Sequence, residues 1–426
     1  VRRSSIAVAA CLLLPAAAGA TAFGAFQHGG RATAQAGAFT ARAADPSALT
    51  YNPAAITRLS GLQLQAGLDF TAPRDDYSSP SGGHAANHVI DFAPAVYLTW
   101  RAPASALPLA FGVGLDAPVW YQTDWDTALF PGRFLTRHVA LRVLEVHPVV
   151  GYELDERWSV GGGLRYVRGE WEQGGNALVA GGLDPNAFPV EATWDADADV
   201  DGFGVDLALH FATEVWGFGA VLRGPLELEG RPRLSVARRE GMAPTSLQGE
   251  VDDNLDRLRR LPVPDSFEIA PELRTGVWVA PYPELRLELD LAYAAWSSTD
   301  NDQLLLPEGA ADATPIRRGR DWDDTLSLRL GAEGELVAGW TLCGGVAFES
   351  SPTSGATLEP GFPRGDALVW AAGFGFDFPQ LSFDVGYSLH DYDDRGARGQ
   401  EPRAPEVAGR YSAREQIFAV SARWRF

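Results

Sequence analysis

From residue 61 onward, apolar and polar residues alternate in short runs. Leu62, Leu64, Ala66, Leu68 and Phe70 share one face of an extended chain. Leu285, Leu287, Leu289, Leu291 and Tyr293 share another, against Arg286, Glu288 and Asp290. The pattern returns at Leu326, Leu328, Leu330 and Ala332 against Ser327, Arg329 and Glu333. The final residues set Phe418, Val420, Ala422, Trp424 and Phe426 against Ala419, Ser421, Arg423 and Arg425. A period of two marks strands with one apolar face, and helical period fits none of these runs. Charges on the second face would be prohibitive in lipid but suit a polar lumen, so the pattern predicts a transmembrane barrel. Single strands of a soluble sandwich look alike; the connections separate the two readings.

About fourteen strands are predicted, near 61–71, 88–100, 108–120, 138–152, 157–171, 202–212, 215–228, 267–280, 284–297, 323–334, 339–349, 367–378, 380–391 and 413–426. Long connections (72–87, 121–137, 172–201, 229–266, 298–322, 350–366 and 392–412) alternate with short ones near 102–107, 155, 213, 282, 337 and 379. A barrel with short periplasmic turns and long outer loops alternates in this way, whereas a sandwich has no reason to. Trp100, Trp120, Trp158, Trp171, Trp296, Trp340 and Tyr392 lie near strand ends, where an aromatic girdle would sit. Within 229–266, Val251, Leu255, Leu258 and Leu261 have helical spacing, which predicts a short amphipathic helix at the barrel mouth.

The first residues change the picture by giving an address. Arg2 and Arg3 precede an apolar run from Ile6 to Leu14, then Pro15 and the small residues Ala18, Gly19, Ala20 and Ala22, as in a secretory signal. Cleavage is expected after Ala22, with Ala20 as the alternative, so that 1–22 is a leader. Cys11 follows small residues as in a lipoprotein signal, but lipidation there would halve the apolar core. Without Cys11, Cys343 stands alone and no intramolecular disulfide is possible. An exported barrel places the chain in the outer membrane of a Gram-negative bacterium.

Composition removes other classes. The formal net charge is −20 and the basic residues are all arginine, which leaves no basic face for nucleic acid. The seven histidines, His28, His84, His88, His138, His147, His210 and His390, scatter, and no serine–histidine or metal-ligand spacing stands out. An enzyme is therefore not expected, and neither is a cofactor.

Residues 23–60 do not alternate, are rich in small side chains, and are too short for a core of their own. Ahead of a wide barrel, they are expected inside the lumen as a plug, since the strands' own side chains cannot fill it. The expected fold is thus all-β: a transmembrane antiparallel barrel over 61–426 with an N-terminal hatch over 23–60.

The hatch carries a resemblance. Gly29-Gly-Arg-Ala32, Ala36-Gly37, Ala44-Asp-Pro-Ser-Ala48 and Tyr51-Asn-Pro-Ala54 resemble the hatch of the FadL family of outer-membrane long-chain fatty acid transporters, which includes aromatic hydrocarbon importers. Leu115-Asp-Ala-Pro-Val119, Leu291-Ala-Tyr-Ala-Ala-Trp-Ser297, Trp322-Asp-Asp-Thr-Leu-Ser-Leu-Arg-Leu-Gly331, Gly345-Val-Ala-Phe-Glu-Ser-Ser-Pro352 and the terminal Phe426 extend the likeness over the mature chain.

This resemblance implies passive uptake of a hydrophobic solute. The solute is captured among the outer loops, held at a lumenal site gated by the hatch, and released sideways near the third strand. It assigns Arg31, Asp45, Asn52, Pro53 and Ala54 to the hatch, Phe23, Phe26 and Arg168 to the ligand, and Asp116, Ala117 and Pro118 to the lateral opening. Long-chain fatty acids are the expected substrate, with neutral aromatic or aliphatic hydrocarbons as the alternative. Where fatty acid members often place a lysine after the aromatic of the tenth strand, Asp323 follows Trp322, which adds weight to a neutral solute. Outer-membrane lipid and lipopolysaccharide are expected around the wall, and the barrel assembly machinery at Phe426. A monomer is expected. A general porin is the rival reading, but an open aqueous channel has no need of a hatch.

Overall fold

The computed structural model describes residues 28–42, 45–79, 84–103, 107–125, 130–180, 190–238, 248–259, 265–305, 316–355, 357–396 and 409–426. Fourteen antiparallel strands close on themselves. They are β1 (Leu62–Ser78), β2 (Asp91–Arg101), β3 (Leu109–Asp124), β4 (His138–Glu153), β5 (Trp158–Ala180), β6 (Val190–Ala212), and β7 (Trp216–Arg223, resumed at Leu226–Gly230). They continue as β8 (Ser266–Ile269 and Glu272–Tyr282), β9 (Leu285–Ala294), β10 (Thr325–Val337), β11 (Trp340–Glu349), β12 (Ala367–Asp377), β13 (Leu381–Gly396) and β14 (Arg410–Arg425). Each pairs with its chain neighbours, and β14 returns to β1 from Gln63↔Arg425 to Ser78↔Arg410, which leaves no edge.

Alternation sets the inside and the outside. Phe418 and Trp424 face outward and Ala419, Ser421 and Arg423 are buried inward, so the reading of the last strand holds. Glu288 and Asp290 point inward, as their parity required. Outward apolar residues such as Phe203, Val205 and Leu207 form the band that meets hydrocarbon. Trp100, Trp158 and Trp340 are exposed and pack against Phe111, Phe211 and Phe376 near the short turns, forming one girdle. Trp171 and Trp296 do not belong to it: both are buried inside. Tyr392 also turns inward, donating to Glu415 at 3.0 Å, and Trp120 packs on Ala93 and Ala117.

Several strands run past the expected loop boundaries. β5 and β6 stay paired from Trp158↔Phe211 to Ala180↔Val190, through most of the stretch read as a loop. The reason is visible in Trp194, Ala196, Ala198 and Val200, which face inward while Asp195, Asp197, Asp199 and Asp201 face water. The acidic half of that alternation resembles a loop because these residues stand above the membrane. In the next long connection Arg233–Arg238 also pairs with β6, and helix α1 (Gln248–Leu258) buries Val251, Leu255 and Leu258. Leu261 lies outside the described residues. Another long connection carries a small hairpin, Asp302–Leu305 with Ile316–Gly319.

Candidate functional site

The described residues between 28 and 58 lie inside the ring of strands, nearly all of them buried. Two short helical turns, Gly30–Thr33 and Ala48–Tyr51, lie in this segment, and a 3₁₀ turn, Pro53–Arg58, leads to β1. Backbone N–H groups without a helix or sheet partner must find acceptors elsewhere. The β9 carboxylates supply them: Phe39 and Thr40 both donate N–H groups to Asp290 at 2.9 Å, and Ala41 donates to Glu288 at 2.7 Å. The guanidinium groups complete the attachment. Arg31 meets Asp384 at 2.8 Å and Asp377 at 2.7 Å, and Arg42 pairs with Glu288 and, at 3.4 Å, Glu333.

Close approach to the wall requires missing side chains. A Cβ on inward-facing Gly345 would overlap the Gln35 backbone, one on Gly386 the Gly30 carbonyl, one on Gly219 the Thr40 carbonyl, and one on Gly161 would stand 2.7 Å from the Ala54 nitrogen. Glycine supplies this clearance on strands across the barrel. Asn52 forms an Asx turn ahead of Pro53: its Oδ1 accepts from Ala54 N–H at 3.1 Å, while its Nδ2 donates to Thr40 and Leu209 carbonyls. Pro53 opens the 3₁₀ turn. Asp45 acts within the segment, accepting from the Ser47 N–H and hydroxyl. Burial pushes the His28 imidazole below its ordinary range, against the opposing pull of the Asp116 and Glu145 carboxylates.

The wall is interrupted beside this segment. β2 and β3 pair only from Val96↔Leu115 to Arg101↔Ala110, so Asp91–Ala95 and residues 116–124 share no ladder among the described residues. On its other edge β3 shifts register against β4 between Asp116 and Val119, where Ala117 and Pro118 occupy the span of one partner residue. This is a β-bulge, and Pro118 has no N–H to donate there. Small side chains, Ala93 and Ala117, meet across the interruption. Asp116 points inward and accepts from Thr50 at 2.8 Å and Tyr97 at 3.0 Å, tying the internal segment to the broken strand.

Above the segment, toward the long loops, the lumen turns apolar. Val119, Tyr121, Val143, Val167, Trp171, Trp194, Trp296, Trp322 and Phe362 form one buried cluster with α1, Leu226 and Leu228. Its cations already have partners. Arg320 pairs with Glu359 at 2.7 Å beside the Phe267, Trp322 and Phe362 rings, and Arg364 meets Asp75 at 3.0 Å and Glu415 at 3.2 Å. Among the described residues no group of His, Cys, Asp or Glu side chains is disposed to hold a metal ion.

One expected ligand contact is corrected. Arg168 is exposed on the outer face, opposite Asp201 in register, above the apolar band of Leu164, Phe203 and Val205. A period of two explains it: the buried arginine of β5 is Arg165, three positions away, which pairs with Glu145 at 2.7 Å. Phe23 and Phe26 lie outside the described residues. Sequence reasoning missed Thr50, Tyr97, Arg42 and the Arg320–Glu359 pair. The repeated glycines at inward positions were the available signal, since an ordinary lumen does not need them.

A family model described as outer membrane protein transport protein (OMPP1/FadL/TodX) matches residues 9–426. The fold is similar to the crystal structure of a Pseudomonas aeruginosa FadL homologue, at 19% identity over 93% of this chain and 98% of that one, with a TM-score of 0.77. It is also similar to the Ralstonia pickettii toluene transporter TbuX (18% identity, 93% and 98% covered, TM-score 0.65). The Pseudomonas putida toluene transporter TodX is comparable (16% identity, 94% and 98% covered, TM-score 0.67). No curated protein sequence matches the chain.

Proposed function

This chain belongs to the family of outer membrane transport proteins OMPP1/FadL/TodX, and on that premise we propose that it passively imports neutral hydrophobic molecules, aromatic ones above all. The solute is captured in the apolar upper lumen, waits above residues 28–60 acting as a hatch, and leaves sideways through the interruption between β2 and β3. Lateral exit suits such a solute, because it passes into hydrocarbon without crossing a water-filled pore. The Asp116 contacts with Thr50 and Tyr97 couple that exit to the hatch.

The observation that carries the substrate class is the pairing of Arg320 with Glu359 among the rings. A carboxylate entering the cluster meets a cation already neutralised, and Glu359 repels it. With Arg168 outside, long-chain fatty acids lose the anchor expected for them. A neutral ring loses nothing and gains the stacking surfaces of Trp322 and Phe362.

The test is retention. Refolded in detergent and examined by mass spectrometry, the protein should hold toluene in preference to oleate; preferential oleate retention overturns the neutral-solute reading.

A further inference from the structure

The outer wall has a second special place, away from the β2–β3 interruption. Three consecutive glycines, Gly161, Gly162 and Gly163, fall on β5 in the half of the barrel nearer the short turns. In the row Val150↔Gly162↔Leu207 the middle position faces outward with no side chain, so Val150 and Leu207 become the two walls of a valley. Leu164 and Val205 bound it above, Tyr152 and Val160 below. The groove holds about 730 Å³ and its lining is almost wholly apolar. Pro148, which has no N–H, lines it where the β4–β5 ladder lapses, between Val146↔Tyr166 and Val149↔Gly163.

Its floor is sealed from the lumen. Inside Gly161 lies the Pro53–Ala54 backbone, and inside Gly163 lies His147, whose Nε2 is 3.0 Å from Asp206. A lumenal solute therefore has no path to the groove, which opens only outward. A Cβ on Gly162 would stand 2.7 Å from the Asp206 carbonyl, so the chain cannot fill the valley from its own floor. The groove is continuous with the exposed apolar band of Leu144, Val146, Leu164 and Phe203 that faces the bilayer. Tyr152 and Val160 stand within a few residues of the turn at 154–157, which puts the groove in the periplasmic leaflet. That leaflet supplies phospholipid rather than lipopolysaccharide.

We infer that the groove between β4, β5 and β6 is a seat for one acyl chain of a periplasmic-leaflet phospholipid, held longer than the lipid around it. Its volume lies in the range of ~300–1,000 Å³ typical of ligand sites. The bound chain backs the thin glycine wall on whose inner face Pro53 and Ala54 rest.

The experiment uses the full protein inserted in vesicles of phosphatidylethanolamine and phosphatidylglycerol, extracted in mild detergent and weighed by native mass spectrometry. One retained phospholipid per barrel is expected. Val150→Trp with Leu207→Trp fills the valley and should lower that species by roughly tenfold, because the displaced methylenes lose their burial. Leu289→Trp, on the outer face of β9, should leave it unchanged. Heat-modifiable migration in gels verifies folding, and Leu207→Phe takes the place of the double variant if that fails to insert. No adduct in the wild type, an adduct with the mass of a free fatty acid only, or equal retention by the filled variant would each overturn the inference.

Discussion

The two halves of the lumen are built from opposite chemistry. The lower half holds residues 28–58 by directed contacts: Arg31 to Asp384 and Asp377, Arg42 to Glu288, and backbone N–H groups to Asp290. The upper half is built chiefly of a buried cluster of rings and aliphatic chains. The contrast separates two tasks. Charge pairs fix one docked position for a segment, whereas an apolar surface offers contact without fixing orientation. Asp116, bonded to Thr50 below and positioned at the broken strand, joins the halves.

The largest expected break in this contrast comes from removing the lower tenant. Deleting residues 23–60 should convert a low-conductance barrel into an open channel in planar bilayers; unchanged low conductance would mean that the segment does not occlude the lumen. Arg42→Ala comes next. It leaves Glu288 buried without its cation, and breaking such a pair costs about 3–5 kcal/mol, so amide exchange across residues 38–42 should rise while the strands stay protected. Uniform protection would assign the pair no part in docking.

The upper half is sharpened by Glu359→Gln, which frees the Arg320 charge. One charged hydrogen bond contributes about 1.5–3 kcal/mol, so oleate retention should rise by roughly tenfold or more with toluene little changed. At the junction, Pro118→Val restores a ladder donor. A bond of about 0.5–1.5 kcal/mol should slow uptake by roughly two- to tenfold without unfolding the barrel, and wild-type uptake would remove the support for that exit.

The smallest effect is set by pH. His28 has an ordinary value of 6.5 and is depressed when docked, so the docked form binds fewer protons. The stability this represents is present above pH 6.5 and is lost as pH falls toward the docked value. Exchange at residues 28–34 should therefore rise on acidification, and His28→Gln should flatten that response.

The barrel is legible in the chain before it folds. Period-two alternation, from Leu62 to Phe426, assigns each strand side chain to lipid or lumen, and loop lengths orient the whole, because both depend only on neighbours along the chain. The turn at Asn52 and Pro53 is local in the same sense, since its Asn52 Oδ1 to Ala54 N–H bond joins adjacent residues. Parity also held the correction to Arg168, since Arg165 and Arg168 must face opposite ways. Contacts between residues far apart along the chain emerge only in the folded molecule. Arg320 finds Glu359, Arg31 finds Asp384, and Gly345 makes room for Gln35. The trio at Gly161–Gly163 likewise becomes a groove only when Val150 and Leu207 arrive on either side. Such pairings depend on the register and curvature of a closed sheet, which no local pattern encodes.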